Sequence, residues 1–228
     1  MTAFYQILNY IMDSQFTLPV LSAEEIRVLG VLMEKSRTTP EYYPMTINAI
    51  TVACNQKTSR KPVVQYDEQT VTLTLDTLKR KSLISTATGG ASRVVKYKHN
   101  FAIVFPVLPA EVAVIALLML RGAQTPGEIN TNSGRLYEFE SLEEVQSVLE
   151  KLAGPESAYV MQLPKRAGQK ETRYVHLLGG VPDLTREEAD DEHYSRPASD
   201  LEQRLARVEE ELAAMRADFD KLMKELMG

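Results

Sequence analysis

A polar run in the first third of the chain carries side chains that suit contacts with nucleic acid. Asn and Gln can pair with the edges of bases, and Lys and Arg can neutralise phosphate groups. The run lies inside Cys54–Tyr66 and supplies these candidates for DNA binding: Asn55, Gln56, Lys57, Ser59, Arg60 and Lys61. Because a long polar segment costs entropy to order, we expect it to have a use. The alternative is a solvated loop in which Asn55 caps the end of a helix.

A second group of cations follows this run along the chain. They lie at the end of a predicted helix and in the hairpin after it, and they are Lys79, Arg80, Lys81, Arg93, Lys96 and Lys98. We expect them to form one face that binds phosphate groups, with an ordinary charged surface as the alternative. Leu73 and Asp76 point toward the same side, where an acid would repel phosphate.

The overall composition limits the class of partner. The net charge of the 228-residue chain is −5, so nucleic-acid contacts must come from a local basic patch. Cys54 is the only cysteine, which fits a reducing cytoplasm. No apolar run reaches the ~18 residues that span a bilayer, and we expect no membrane association.

Catalytic chemistry finds little support in the sequence. The histidines are His99, His176 and His193, and the first two occupy equivalent positions of an internal repeat, which indicates a shared packing or hydrogen-bonding role. Cys54 has no base nearby in the sequence, so a buried structural thiol is expected. No phosphate loop, dinucleotide motif or metal-ligand spacing is present. We therefore predict a protein that is not an enzyme and that uses no cofactor and no metal.

The internal repeat divides most of the chain into two similar halves. Leu21–Glu24 recurs as Leu108–Glu111, and each opens an amphipathic helix, predicted over Ser22–Lys35 and Pro109–Arg121. The third helix of each half has apolar residues at i, i+4 and i+7, namely Val71, Leu75 and Leu78 and then Val145, Leu149 and Leu152. The predicted N-terminal caps are Asp67 and two capping boxes, Ser22 with Glu25 and Ser141 with Glu144. A hairpin closes each half. Three helices followed by a hairpin are typical of a winged helix-turn-helix domain.

The two halves differ in length. Thr39-Pro40 aligns with Thr125-Pro126 at an offset of 86, whereas Val71 aligns with Val145 at an offset of 74. The first half is therefore predicted to carry an insertion of about a dozen residues, placed inside Cys54–Tyr66.

The last thirty residues carry apolar side chains at alternating spacings of four and three. This seam comprises Leu201, Leu205, Val208, Leu212, Met215, Phe219, Leu222 and Leu226. It is an a/d heptad pattern, which predicts a coiled-coil homodimer, and the flanking charges mildly favour parallel strands. The alternative is a helix that folds back on its own body.

The predicted fold is mostly α with small β-wings, an α+β class. It consists of two tandem winged helix-turn-helix domains and a C-terminal coiled-coil helix. The predicted segments are an N-terminal extension (1–20), the first domain (21–106), the second domain (107–181), an acidic flexible linker (182–198) and the coiled-coil helix (199–228).

Several strings of residues resemble the YceH family of uncharacterised bacterial proteins. They are Leu21–Lys35, Thr39–Pro44, Ala53–Val63, Arg93–Tyr97, Leu120–Glu128 and Arg173–Leu177. The resemblance covers Leu21 to Leu178 together with the terminal coiled coil. It implies tandem winged-helix domains, and it brings no activity and no catalytic residues.

The leading hypothesis is a dimeric, cytoplasmic DNA-binding protein that regulates transcription through its first winged-helix domain. The second domain is expected not to bind DNA, because its third helix carries Glu143, Glu144 and Glu150. The alternative is a scaffold that binds another protein, without direct DNA binding, through Leu73 and the acidic helix of the second domain.

Overall fold

The computed structural model describes residues 18–87, 94–155, 158–165 and 171–182, together with residues 207, 215 and 216. Several predicted features lie outside the described residues. They are most of the N-terminal extension, Arg93, the acidic linker apart from Pro182 and, apart from Met215, the coiled-coil seam. The described residues up to Val181 belong to one compact unit, and those from Pro182 onwards belong to a second. None of the described helices is long and apolar enough to cross a membrane.

Helices and short strands follow one another in the same order twice. The first half contains α1 (Ala23–Thr38), α2 (Ile47–Cys54), α3 (Glu68–Arg80), β1 (Ile84–Ala87) and β2 (Lys96–His99). A 3₁₀ turn (Pro40–Tyr42) and a short helix, α4 (Phe101–Val104), lie in the connections. The second half contains α5 (Pro109–Arg121), α6 (Pro126–Ser133), α7 (Leu142–Leu152), β3 (Val160–Gln162) and β4 (Tyr174–His176). The predicted α+β class is confirmed.

Polar side chains cap the helices near the predicted positions. Ser22 Oγ accepts from the Glu25 N–H at 3.2 Å, and the Glu25 carboxylate accepts from the Ser22 N–H at 2.8 Å, which is the predicted capping box. α3 begins after its predicted aspartate cap. Ser141 caps α7, but the Glu144 carboxylate accepts from the N–H of Glu140 at 2.7 Å. Only half of the second predicted box is therefore formed.

Each hairpin is a two-stranded antiparallel sheet, and a residue from an earlier segment extends it. β1 pairs with β2, and β3 pairs with β4. Met45, before α2, exchanges two backbone hydrogen bonds with Tyr97 of β2, at 2.8 and 3.0 Å. Gln124, before α6, makes the same exchange with Tyr174 of β4, at 2.8 and 3.0 Å. Met45 and Gln124 are therefore equivalent positions of the two halves.

The extra residues of the first half are divided among three places, which corrects the prediction of one insertion inside Cys54–Tyr66. α1 has 16 residues, whereas α5 has 13. Eight residues separate α1 from α2 where four separate α5 from α6, and thirteen separate α2 from α3 where eight separate α6 from α7. The alignment of the two Thr-Pro pairs was wrong, because Thr125-Pro126 opens α6 while the earlier pair follows α1.

The first helices of the two halves pack against each other. The apolar stripes of α3 and α7 are buried, as their spacing predicts. α1 and α5 approach closely at Gly30, where an added Cβ would lie 3.2 Å from the Cβ of Met119. Residues 28–33 of α1 are buried on every side, because this helix contacts both its own half and α5. The two predicted domains therefore share one hydrophobic core.

Candidate functional site

Contacts from α1 order the loop that connects α2 to α3, residues 55–67. Arg27 and Glu34 lie seven residues apart on α1, about two helical turns, and so face the same side. Arg27 donates hydrogen bonds to the carbonyls of Cys54 and Pro62, near the two ends of the polar run. The run is therefore held by the interior of the protein.

Arg60 belongs to that interior. Its side chain is completely buried, and its guanidinium donates to both carboxylate oxygens of Glu34, at 2.7 and 3.0 Å. It also donates to the carbonyl of Ala53 at 3.2 Å. A bidentate pair of this kind is strong and neutralises the carboxylate. Arg60 is a structural residue, which corrects the prediction that it contacts phosphate.

The two amide side chains of the run are also used internally. Asn55 Nδ2 donates to the carbonyl of Tyr66, and the Tyr66 N–H donates to Asn55 Oδ1, both at 2.8 Å. Gln56 Oε1 accepts from Arg60 at 2.9 Å. Asn55 also follows the last residue of α2 as its C-cap, in line with the alternative interpretation. The predicted contact of Asn55 with a base is corrected, because both polar atoms of its amide close the loop instead. Gln56 contributes its Oε1 to the same loop.

The rest of the run reaches the second half of the chain. The Lys61 N–H donates to the carbonyl of Leu120 at 2.8 Å, and Ser59 Oγ accepts from Arg121 at 2.8 Å. Leu120 and Arg121 both lie at the end of α5. Lys57 is exposed. The segment predicted to read DNA thus links the two halves, and it leaves Lys57 at the surface.

A cavity of about 320 Å³ lies where this loop meets the ends of α1, α5 and α6. Its lining includes four cationic side chains, Lys35, Lys57, Arg121 and Arg135. Hydroxyl and amide side chains and two leucines, Leu117 and Leu136, complete most of the wall. The acid in the lining is Glu34, which is already paired with Arg60. This arrangement suits a small anion.

Two acids of α1 have pKa values below their usual range because of cationic partners. Burial raises the pKa of Glu34, but hydrogen bonds and charge from Arg60 outweigh burial and lower it. Burial also raises the pKa of Glu25, but the hydrogen bond from Lys81 at 2.7 Å is the main cause that lowers it, and the net shift is downward. Lys81 is therefore tied to the start of α1, and its charge contributes less to an external face than the prediction requires.

Other residues of the predicted phosphate-binding face lie on the surface of α3 and β2. Lys79 and Arg80 are exposed at the C-terminal end of α3, and Lys98 is exposed on β2. Lys96 is partly buried and lies on the same strand face as Lys98, because alternate residues of a strand share a face. The structure therefore places a group of cations on these two elements.

The outer side of α3 also carries an apolar and an acidic side chain. Leu73 is 60% exposed, and Asp76 is exposed, as the helical spacing predicts. Burial and then the charge of Asp76 raise the pKa of Tyr97, which puts this acid near the hairpin. The face is thus mixed in character and not uniformly basic.

The corresponding surface of the second half is acidic. Glu143 and Glu150 of α7 are exposed, and the carboxylate of Glu144 accepts from the Tyr137 hydroxyl at 3.2 Å. Lys151 forms an ion pair with Glu111 at 2.6 Å. The strand β4 has the sequence Tyr-Val-His, without a cation.

Cys54 is buried, and His99 and His176 are partly buried. Cys54 is fully buried, and burial raises the pKa of its thiol to about 12, so the prediction of a buried thiol is confirmed. Burial lowers the pKa values of His99 and His176 to about 4. Among the described residues, no group of three His, Cys, Asp or Glu side chains could hold a metal ion.

Sequence reasoning did not identify Glu34, Thr38 or Arg121 as parts of a site. These residues lie in the last turns of α1 and α5, where polar and charged side chains are common and do not by themselves indicate a site. The seven-residue spacing between Arg27 and Glu34 shows that both side chains lie on one face of α1, but it does not show that this face contacts the loop.

The chain is similar to a group of bacterial proteins over most of its length. The family model described as "Protein of unknown function, DUF480" matches residues 21–169. The chain is 52% identical over 164 residues to a UPF0502 protein of Opitutus terrae, covering 72% of this chain and 71% of that protein. It is 42% identical over 211 residues to the UPF0502 protein YceH of Escherichia fergusonii, covering 90% and 97%. A UPF0502 protein of Solibacter usitatus is 45% identical over 204 residues, covering 90% and 97%.

Proposed function

This chain belongs to the DUF480 family, as its resemblance to YceH proteins predicted, and we propose that it is a cytoplasmic DNA-binding protein that regulates transcription. Its first half makes the contact, through α3 and the hairpin of β1 and β2. The proposal rests on the residues of this chain, because the names of its relatives carry no activity.

In this proposal each half is a winged helix-turn-helix domain. The support is the order of three helices and an antiparallel hairpin, found twice. A residue before the second helix pairs with the hairpin in both halves, Met45 with Tyr97 and Gln124 with Tyr174. In such a domain α3 is the helix that enters the major groove, and the hairpin is the wing beside it.

The observation that carries the proposal is the difference in charge between the two halves. α3 and β2 expose Lys79, Arg80 and Lys98, alongside the acids Glu68 and Asp76 of α3. α7 exposes Glu143 and Glu150, and its Lys151 is paired with Glu111. Because contacts with phosphate supply nearly all nonspecific affinity for DNA, the first half is suited to bind a duplex and the second is not.

Binding of duplex DNA by the full chain, measured by fluorescence anisotropy across a salt series, tests this proposal. Arg80→Glu should weaken binding at least about tenfold and lower the slope of log K against log salt by about one unit, because a phosphate contact becomes a repulsion. The control, Lys165→Glu, makes the same change of charge at an exposed position of the second half. It should alter affinity less than about twofold, because screening weakens distant charges.

Two outcomes would contradict the proposal. Equal losses in the two variants would show a response to net charge without a defined face. Absence of saturable binding by the unchanged protein at low salt would remove DNA as a partner.

A protein-binding scaffold is the second candidate, and the exposure of Leu73 favours it. Leu73 is 60% exposed on α3, and Val52 is 62% exposed on α2. Exposed apolar side chains mark a docking site for another protein where they form one patch. In this case Leu73→Glu should abolish capture of a partner protein from cells, and Arg80→Glu should leave DNA affinity unchanged. That combined result would replace the DNA-binding proposal with the scaffold.

We also propose a homodimer through the coiled-coil helix, 199–228. Its seam lies outside the described residues apart from Met215, which is helical and 67% exposed. Deleting 199–228 should convert a dimer into a monomer in sedimentation equilibrium, while the thermal transition of the remaining chain persists, because the seam supplies the interface. A full-length chain that sediments as a monomer at tens of micromolar, roughly the range needed for a weak coiled coil, would contradict it.

A further inference from the structure

We propose that the cavity between the two halves binds a small organic anion through a carboxylate or phosphate group. The cavity is lined by the end of α1, by the loop after α2 and by residues of the second half. The inference is independent of DNA binding, because none of the cations assigned to the DNA contact on α3 and β2 lines this cavity.

The lining of the cavity has an excess of positive charge. Its cations are Lys35, Lys57, Arg121 and Arg135. Within the described parts of the chain, Lys57 and Arg135 are exposed and make no ion pair. Lys35 lies 3.3 Å from Glu34, whose two carboxylate oxygens already accept from Arg60. The acid is therefore compensated by a residue outside the cavity lining, and the four cations remain to attract an anion.

Arg121 is held in place before any ligand arrives. Of the five N–H groups of a guanidinium, one donates to Ser59 Oγ at 2.8 Å and one to Asn132 Oδ1 at 2.9 Å. Asn132 itself donates to Gln124 at 3.0 Å, which fixes its orientation. A guanidinium positioned in this way can offer its other N–H groups to an oxyanion with little further loss of freedom.

A buried hydroxyl at the cavity also lacks a partner. Thr38 lines the cavity, and its Oγ1 is buried with no hydrogen-bond partner among the described residues. Buried hydroxyls are nearly always hydrogen-bonded, since leaving one unsatisfied costs folding free energy. This oxygen has almost no surface open to water, so a ligand would reach it only after the Thr38 side chain rotates about χ1 toward the cavity. The hydroxyl would then gain the partner that it lacks in the free protein, an argument for a ligand that does not depend on charge.

The size and walls of the cavity narrow the class of ligand. A volume of about 320 Å³ is at the small end of the range for small-molecule sites. Leu117 and Leu136 give part of the wall an apolar character suited to a short carbon skeleton. A small organic acid or a small phosphate ester fits this combination of charge, hydroxyl and apolar contact.

Isothermal titration calorimetry of the full chain with citrate and with inorganic phosphate, at ionic strength balanced with chloride, tests the proposal. We expect saturable binding of at least one probe with a Kd below about 10 mM. The double variant Lys57→Ala with Arg135→Ala should weaken that binding at least about tenfold, because two charge-assisted contacts are lost. Lys165→Ala, which lies outside the lining, should leave it unchanged. Citrate alone would assign a carboxylate ligand, and phosphate alone a phosphate ligand.

Thr38→Val separates a ligand contact from a structural role. Valine keeps the shape of threonine, and the hydroxyl makes no hydrogen bond that the free protein would lose. The midpoint of thermal unfolding should therefore stay the same or rise, while the affinity for the probe falls about threefold or more. The proposal is overturned if neither probe binds, if the double variant binds as well as the unchanged protein, or if Thr38→Val leaves the affinity unchanged.

Discussion

Replacing Arg60 with Met is expected to lower the free energy of unfolding by about 3–5 kcal/mol. Methionine fills much of the space of the arginine side chain, but it leaves the Glu34 carboxylate without its bidentate partner. The Arg60 side chain is fully buried and that of Glu34 is 14% exposed, so water replaces the lost hydrogen bonds poorly. Urea unfolding followed by circular dichroism measures the change.

Two further variants control this experiment. Lys57→Met makes the same substitution at an exposed position of the same loop, and it should change the free energy of unfolding by less than about 0.5 kcal/mol. Combining Arg60→Met with Glu34→Gln should recover much of the loss, because no uncompensated charge then remains. If Arg60→Met changed the free energy of unfolding as little as Lys57→Met, the structural role assigned to Arg60 would be wrong. The prediction that Arg60 contacts phosphate would then stand again.

The same ion pair has a pH signature. Since Arg60 lowers the pKa of Glu34 in the folded protein below its usual 4.5, the stabilisation is present above that value and is lost as the pH falls through the folded pKa. The difference between the unchanged protein and Arg60→Met should therefore shrink in acid below about pH 4.5. Other titrating groups are common to both proteins, so most of their effect cancels in this difference.

The helices were predictable because their signals are local. The i, i+4, i+7 spacing of Val71, Leu75 and Leu78 depends only on the period of an α-helix, and all three side chains are buried. Caps such as Ser22 act on backbone groups within three residues. Neither signal requires knowledge of what packs against the helix.

The contacts of the polar run could not be predicted, because residue types do not show which groups the side chains will contact. Asn55, Gln56 and Arg60 have the chemistry of a nucleic-acid contact, and the same hydrogen-bonding groups serve equally well inside a protein. What decides between these uses is the position of Glu34, 26 residues earlier on α1, together with the path of the chain to Tyr66. That information is tertiary.

The cavity could not be predicted for a related reason. Its cations come from four separate places in the chain, the end of α1, the loop after α2, the end of α5 and the segment after α6. Their meeting depends on the packing of α1 against α5, where Gly30 permits the close approach. The sequence repeat, which treats the halves as separate domains, gives no reason to expect a site between them.

Acidification from pH 7 to pH 4 is expected to remove roughly 6 kcal/mol of stability through His99 and His176. Burial, with a smaller contribution from the charge of Arg37 at His99, lowers both pKa values from 6.5 to about 4. In the unfolded chain these histidines take up protons near pH 6.5, whereas the folded protein resists protonation until about pH 4. The contribution of the two neutral rings to the free energy of unfolding is therefore complete above pH 6.5, and it is lost as the pH falls toward 4.

The contacts of the two rings explain why the neutral forms are preferred. His99 Nδ1 accepts from the Phe101 N–H at 3.3 Å, and its Nε2 lies 3.2 Å from the Ser36 hydroxyl. A proton on Nδ1 would break the first of these bonds. His176 Nδ1 is buried and has no hydrogen-bond partner among the described residues, so a proton added there would lack an acceptor. Folding therefore favours the neutral form of each ring over its cation by roughly 3 kcal/mol.

His176→Phe isolates one of the two contributions. Phenylalanine keeps an aromatic ring that is one atom larger than imidazole, and it cannot titrate, so the stability at pH 7.5 should fall by no more than about 3 kcal/mol. Between pH 6.5 and pH 4 the loss of stability, measured as the fall in the free energy of unfolding in urea, should be about half that of the unchanged protein. His99 retains its bonds to Phe101 and Ser36 in this variant and accounts for the other half. If His176→Phe lost as much stability in acid as the unchanged protein, the acid sensitivity would have to come from groups other than the His176 ring.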